Sequence, residues 1–279
     1  MTPSTFLIVL CAAALHASWN AAVKGGSDKR LQMAAVTIGH MPFAAIALIF
    51  VPPLDFAAWP FLILGAVFHF GYQVFLIQSY KLGDLSQVYP IARASAPMMA
   101  TVFGLSFLGV DLTQTELLGI AVIAIGLMST VGLRIQNVPR KAALSALITG
   151  VFITAYSLSD GYGGRIGNSP IAFYGWLSLL NGVFMAIYLA RSAPASVPLV
   201  WTRARVTFIG GGFASFAAYS LVMYAFSVAP IPVVMAIRES SIIIAFLIGI
   251  VVLGEKLTWA KAIGTVITLC GIFILRLGG

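Results

Sequence analysis

The sequence predicts an all-α polytopic membrane protein, with ten transmembrane helices arranged as two inverted five-helix repeats. Three observations lead there. Of 279 residues, 60% are hydrophobic and only 9% charged, with a mean hydropathy of +1.01; a soluble domain carries roughly 25% charged residues and needs a largely polar surface. The apolar residues fall into ten runs, each near the ~20 residues that cross a bilayer as a helix. The second half also echoes the first at an offset of 145 residues. This composition excludes a soluble enzyme, a nucleic-acid-binding module and a disordered chain.

Glycine, proline and aspartate punctuate the runs in order. Span 1 (4–23) has no basic residue before Lys24, which predicts a retained helix and not a cleaved signal peptide; it stops at Gly25-Gly26. Span 2 (31–51) stops at Pro52-Pro53, span 3 (60–80) at Gly83-Asp84, span 4 (86–109) at Asp111, and span 5 (115–134) before Pro139. Span 6 (142–161) is expected to end at Gly163-Gly164, span 7 (169–190) before Pro194 and Pro198, and span 8 (205–228) at Pro230. Span 9 (232–253) stops at Gly254, and span 10 (258–276) closes the chain. The first repeat is thus 1–134, the linker 135–141 and the second repeat 142–279. Cys11 and Cys270 lie in apolar runs and are expected to be small packing residues, not a disulfide.

The net charge of +8 is distributed unevenly. Lys24, Lys29, Arg30, Lys81, Arg134, Arg140, Lys141, Arg191, Arg203, Arg205, Lys256 and Lys261 all follow odd-numbered spans, whereas only Arg165 and Arg276 lie on the other side. Basic loops stay in the cytoplasm, so both termini are expected outside, in a multi-pass protein of the cell (inner) membrane.

Arg93, Ser95, Ala100, Gly104, Leu108, Gly109, Leu112, Thr113, Gly119 and Gly126 recur as Arg238, Ser240, Ala245, Gly249, Leu253, Gly254, Leu257, Thr258, Gly264 and Gly271. Ten identities in 34 ungapped positions compare with roughly three expected by chance in so biased a composition. Each repeat holds an odd number of spans, so the second enters the membrane inverted, an architecture common in secondary transporters. Pairs of glycines seven residues apart in spans 5 and 10 predict close helix contact. Pro97, one turn after Arg93, predicts a bend in span 4.

These endings, Gly109-x-x-Leu112-Thr113 with Gly119 and Gly126, and Gly254-Glu255-Lys256-Leu257-Thr258 with Gly264 and Gly271, resemble the EamA-type branch of the drug/metabolite transporter superfamily. The resemblance covers nearly the whole chain. It implies alternating-access transport of small metabolites through a central cavity lined by spans 1, 3, 4, 6, 8 and 9. Members are often drawn with both termini cytoplasmic; the loop charges here point the other way.

Ionisable groups within spans are costly and therefore mark function. Arg93 and Arg238 occupy equivalent repeat positions. Their planar, permanently charged forks suit a carboxylate, phosphonate or phosphate group, so they are expected to clamp an anion. The competing expectation is internal pairing: Arg238 with adjacent Glu239, and Arg93 with Asp160 or a helix C-terminus. Arg238 also matches in type and place the basic residues on the ninth helix of organic-phosphate translocators of the same superfamily. Span 1 lacks the acidic residue on which small multidrug-cation exporters of that superfamily depend.

His16, Trp19 and Asn20 share one face of span 1. They join Tyr89, His69, Tyr72, Tyr156, Ser157, Tyr219 and Ser240 in the expected substrate-binding set, since aromatic and hydroxyl groups suit a small anion or zwitterion. Gln73, Ser215, Tyr174, Ser178 and Asn181 are weaker candidates, and Tyr80, Tyr188 and Trp59 read as interfacial aromatics. Asp160, Glu239 and His16 are the candidates for proton coupling. His16, His40 and His69 show no metal-ligand spacing, and no protease, phosphatase or transferase signature is present. The expectation is a non-enzymatic carrier without metal or cofactor, a monomer or weak homodimer whose partners are the lipid bilayer and a small-molecule substrate, with no nucleic acid. Its cargo is expected to be an amino acid, carboxylate, phosphonate or phosphate ester. The alternative is an exporter of neutral or cationic metabolites with structural arginines.

Overall fold

Polar groups at the predicted loop edges start several of the helices. In the computed structural model, which describes residues 1–26, 28–83, 85–132, 136, 138–251 and 258–278, all regular structure among the described residues is helical. Helix α1 (Pro3–Gly25) begins at Thr2, whose hydroxyl accepts from the Thr5 amide. Asp28 caps α2 (Lys29–Ile49) through the amides of Arg30 and Leu31. Asp55 caps a short 3-10 turn that leads into α3 (Trp59–Leu82). After α4 (Leu85–Phe107), Thr113 and Glu116 form a capping box on α5 (Gln114–Ser129). Helix α6 (Arg140–Ile166) is followed by α7 (Pro170–Ser192), capped by Ser169, and by the short α8 (Val197–Thr202). A π-helical turn (Thr207–Gly211) enters α9 (Gly212–Val228); then come α10 (Ile231–Arg238), α11 (Ser241–Val251) and α12 (Trp259–Gly278).

Eight described stretches are long and apolar enough to cross a membrane, which makes this a multi-pass membrane protein. The two remaining predicted spans fall outside that set for different reasons. Helix α5 is apolar but has only 16 residues, and α4 is diluted by Arg93, Ser95 and two prolines. The outer surface is apolar, with Leu7, Ile49, Phe50, Val102, Leu118, Phe273 and Leu277 exposed, as a lipid-facing surface requires. Cys11 and Cys270 are free and exposed on that surface, so they are not the packing residues expected.

The repeated residues have separable structural jobs. Gly109 adopts φ +59° after α4, and the Val110 amide bonds back to the Gly104 carbonyl at 3.1 Å, a helix-ending turn that favours glycine. Thr113 caps α5, and its repeat mate Thr258 accepts from the Lys261 amide at 3.4 Å to start α12. The glycine pairs meet across the helix pair. A Cβ on Gly126 would lie 2.9 Å from the Gly264 carbonyl oxygen, and one on Gly271 would lie 3.0 Å from that of Gly119. Gly119 thus faces Gly271 and Gly126 faces Gly264, so α5 and α12 run antiparallel about a local two-fold. The same symmetry relates α3 on α6 to α1 on α9. Gly254, Leu253, Leu257, Lys256, Asp84 and Arg134 lie outside the described residues.

Two helix expectations are corrected. Helix α6 runs through Gly163-Gly164 to Ile166, because both glycines are buried against neighbours: Gly163 against Phe173 and Gly164 against Met223. Span 9 is not continuous: it breaks after Arg238, where Glu239 and Ser240 donate their amides to Ala236 and Ile237 in tight three-residue turns. By contrast α4 stays helical through Pro90 and Pro97. Hydroxyls bond to its carbonyls near Pro97, from Ser95 to Ala92, Thr101 to Pro97 and Thr154 to Ala96.

Candidate functional site

Helix α10 lies wholly buried at the middle of the bundle, against α4, α1, α9 and α6. Its break brings the short Arg238-Glu239-Ser240-Ser241 segment next to Arg93 on α4. Both arginines are buried, at 3% exposure each. Arg93 Nε donates to Glu239 Oε2 at 2.8 Å and Nη2 donates to Ser241 Oγ at 3.3 Å, while its guanidinium carbon sits 5.8 Å from the Tyr89 ring centroid. Arg93 is therefore neutralised across the repeat interface. Glu239 serves Arg93, not its sequence neighbour Arg238, because the turn after Arg238 carries the carboxylate round towards α4.

Arg238 has no ion-pair partner among the described residues. Its Nε and Nη2 are buried without a hydrogen-bond acceptor, and its guanidinium carbon lies 5.7 Å from the centroid of the Tyr219 ring. A cation–π contact of this kind contributes only about 1–2 kcal/mol when desolvated, less than a carboxylate or phosphate partner would supply. Ser240 Oγ, two residues on, is also buried and unpartnered.

Asp160 is fully buried on α6 and engages neither arginine. Its Oδ2 accepts from His69 Nε2 and from the Tyr219 hydroxyl, both at 2.7 Å. Its Oδ1 has no partner and abuts the Gly65 backbone, where a Cβ would collide with it. The His69 ring stacks on Tyr156 with centroids 3.9 Å apart, and Tyr72, Tyr174 and Phe216 extend the aromatic cluster. His16, Tyr72, Tyr89 and Tyr219 keep part of their surface although they lie deep among the helices. Their free surface therefore faces an internal space, not lipid.

The other sequence candidates separate. Tyr156 and Ser157 are buried beside this space, with Ser157 Oγ unpartnered. His16 meets Trp19 edge-on at 4.9 Å, but Trp19 itself is buried in a small cluster with Val23, Val36 and Ala214. Asn20 donates back to the His16 carbonyl at 2.9 Å. Gln73 reaches Thr37 at 3.4 Å. Ser178 and Asn181 are buried with Oγ and Oδ1 unpartnered, and Ser215 is buried. Tyr188 packs edge-on against Phe70, and Trp59 against Trp176; the Tyr80 side chain lies outside the described residues. Sequence reasoning missed Ser241, whose repeat mate is an alanine. It also missed His40, which approaches Tyr174 and Phe216 with an unpartnered Nε2.

Among curated proteins, no match was found. Among solved structures, 27 chains match. One, described simply as a crystal structure of a protein, aligns with a TM-score of 0.75 over 99% of this chain and 98% of that chain at 18% identity, a likeness of fold alone. The sequence profile of the EamA-like transporter family matches twice, over residues 3–132 and 140–277. With both halves of the helical membrane architecture so matched, the chain belongs to the EamA-like transporter family.

Proposed function

We propose that this protein is a secondary transporter that carries a small organic anion or zwitterion by alternating access, through ten spans in two inverted halves, with Arg238 as the anchor for the anionic group. The observation that carries this reading is the buried Arg238 guanidinium with two unpartnered nitrogens beside an aromatic-lined internal space. A buried charge is retained where a ligand completes its shell. Because Glu239 already neutralises Arg93, the site offers one free cation among the described residues, which favours a cargo with a single anionic group: an amino acid, a carboxylate, or a phosphonate or phosphate monoanion. Arg93 then supports the site through Tyr89, Glu239 and Ser241 and is not the second jaw of a symmetric clamp. The basic loops favour both termini outside the cell membrane.

The test is a thermal-shift screen of a metabolite library on purified wild type and Arg238→Gln, followed by counterflow in liposomes. Ligands at about a hundred times their Kd stabilise the wild type by about 2.7 kcal/mol. Singly anionic compounds are expected to stabilise the wild type alone and to exchange saturably. Stabilisation of both proteins by neutral or cationic compounds would instead support an exporter with structural arginines.

A further inference from the structure

We infer that His69 and Asp160 form a proton site coupled through Tyr219 to the anion site at Arg238, so that one proton moves with each anion; this rests on the reading of Arg238 given above. Four helices meet here: His69 comes from α3, Asp160 from α6, Tyr219 from α9 and Arg238 from α10. Tyr219 touches both sites at once. Its ring lies under the Arg238 guanidinium, 5.7 Å from centroid to carbon, and its hydroxyl donates to Asp160 Oδ2 at 2.7 Å. His69 donates to the same oxygen at 2.7 Å. The His69 side chain is 13% exposed and Asp160 0%, so the ring is the route by which a proton reaches the pair.

The buried charges dictate the coupling. Arg93 and Glu239 cancel as an ion pair. With neutral His69, Arg238 and Asp160 make no ion pair with each other but sum to zero net charge in the site, with Tyr219 between them. A monoanion on Arg238 adds one uncompensated negative charge to a desolvated interior, which is unfavourable. A proton given up by hydronium or a buffer acid, which is left as water or the conjugate base, adds to the second nitrogen of the His69 ring; the imidazolium formed on the Asp160 carboxylate restores the balance, and no other bond forms or breaks. The remaining titratable groups facing the pair are Tyr72 on α3, Tyr156 on α6, Tyr174 on α7, Tyr219 on α9 and His40 on α2. His16 and Glu239 face the arginines instead, and Arg165, near the end of α6, is bonded to the Phe226 and Ala229 carbonyls. His69 and Tyr219 both touch Asp160 and face the internal space, and of the two only the imidazole carries a second nitrogen able to accept a proton.

Coupling is reciprocal, so the anion strengthens proton binding and the proton strengthens anion binding. The test uses benzenesulfonate, a permanent monoanion that brings no proton of its own. It is titrated calorimetrically into the purified full-length protein in two buffers of different ionisation heat. Wild type is expected to take up about one proton per anion, with affinity falling about tenfold per pH unit on the alkaline side. Asp160→Asn and His69→Gln are expected to bind with no proton uptake and a flat pH dependence, and Tyr219→Phe to show reduced uptake. If Asp160→Asn does not fold, His69→Gln and the wild-type pH dependence decide the matter. Arg238-dependent binding without proton uptake overturns this inference alone, as does uptake that survives in His69→Gln and disappears in Glu239→Gln. Absence of binding to wild type, or equal binding to Arg238→Gln, overturns the anion-site reading beneath it.

Discussion

Replacing Glu239 with glutamine should destabilise the protein strongly, whereas replacing Arg238 with glutamine should not. Arg93 Nε and Glu239 Oε2 lie 2.8 Å apart, with side-chain exposures of 4% and 2%. Two unit charges with centres about 4 Å apart attract by about 4 kcal/mol at an effective dielectric of about 20. Removing one partner of a buried pair costs about 3–5 kcal/mol, because the other charge stays buried and uncompensated. Glutamine at 239 keeps the shape and one acceptor oxygen, so what is lost is chiefly charge. The double variant Arg93→Gln/Glu239→Gln removes both charges and should recover part of the loss, with a coupling energy of about 2 kcal/mol. Arg238→Gln forfeits only a contact to the Tyr219 ring worth about 1–2 kcal/mol and relieves two unpartnered buried nitrogens, so its net effect should lie within about 1 kcal/mol of zero. Thermal unfolding of the four proteins of the cycle and of Arg238→Gln, purified in one detergent, measures all of this. A coupling energy below about 0.5 kcal/mol, the additivity limit for independent sites, would refute the ion pair. An Arg238→Gln as damaging as Glu239→Gln would refute the assignment of Arg238 as the free cation.

Two further outcomes follow from the geometry. Gly126→Leu should force α5 and α12 apart, because even a Cβ there would stand 2.6 Å from the Thr268 amide nitrogen and 2.9 Å from the Gly264 carbonyl oxygen; overpacking of this kind costs about 1–3 kcal/mol or more, whereas Gly210→Ala, with nothing within 4 Å, should leave the melting temperature in place. Arg165 spans the end of α9 with bonds of 2.8 Å to the Phe226 and Ala229 carbonyls, so Arg165→Leu should lower stability by about 1–2 kcal/mol after allowance for its solvent exposure; lysine, with one point charge in place of a fork, should rescue at most one bond and so only part of the melting temperature.

Much of the fold is legible from patterns that act locally. Apolar runs between Gly and Pro place the helices to within a few residues, since a bilayer accepts only helices or closed barrels and Thr2, Asp28, Thr113 and Ser169 cap the edges. The repeat is legible because its glycines and threonines do the same work twice: Thr113 and Thr258 start helices, and Gly119, Gly126, Gly264 and Gly271 form one antiparallel contact. Pro97 stands inside a helix that continues through it, while the interruption of span 9 follows Arg238, where no proline stands.

The interruption after Arg238 is also why the site was only half legible. Sequence shows that Arg93 and Arg238 are buried, equivalent and charged, because hydropathy and repeat position are properties of the chain itself. It does not show which carboxylate goes where. Glu239 is beside Arg238 in sequence but beside Arg93 in space, 146 positions apart, and Asp160 meets His69 across 91. Pairings at such separations depend on how helices from different repeats cross and on which way a broken helix turns its next residue. The chain therefore determines by itself a helical membrane bundle of two repeats with two buried arginines. Tertiary contact removes their equivalence, cancelling one arginine with Glu239 and leaving the other open, because a charge in a low-dielectric interior is defined by what lies within a few ångströms of it and not by its neighbours along the chain.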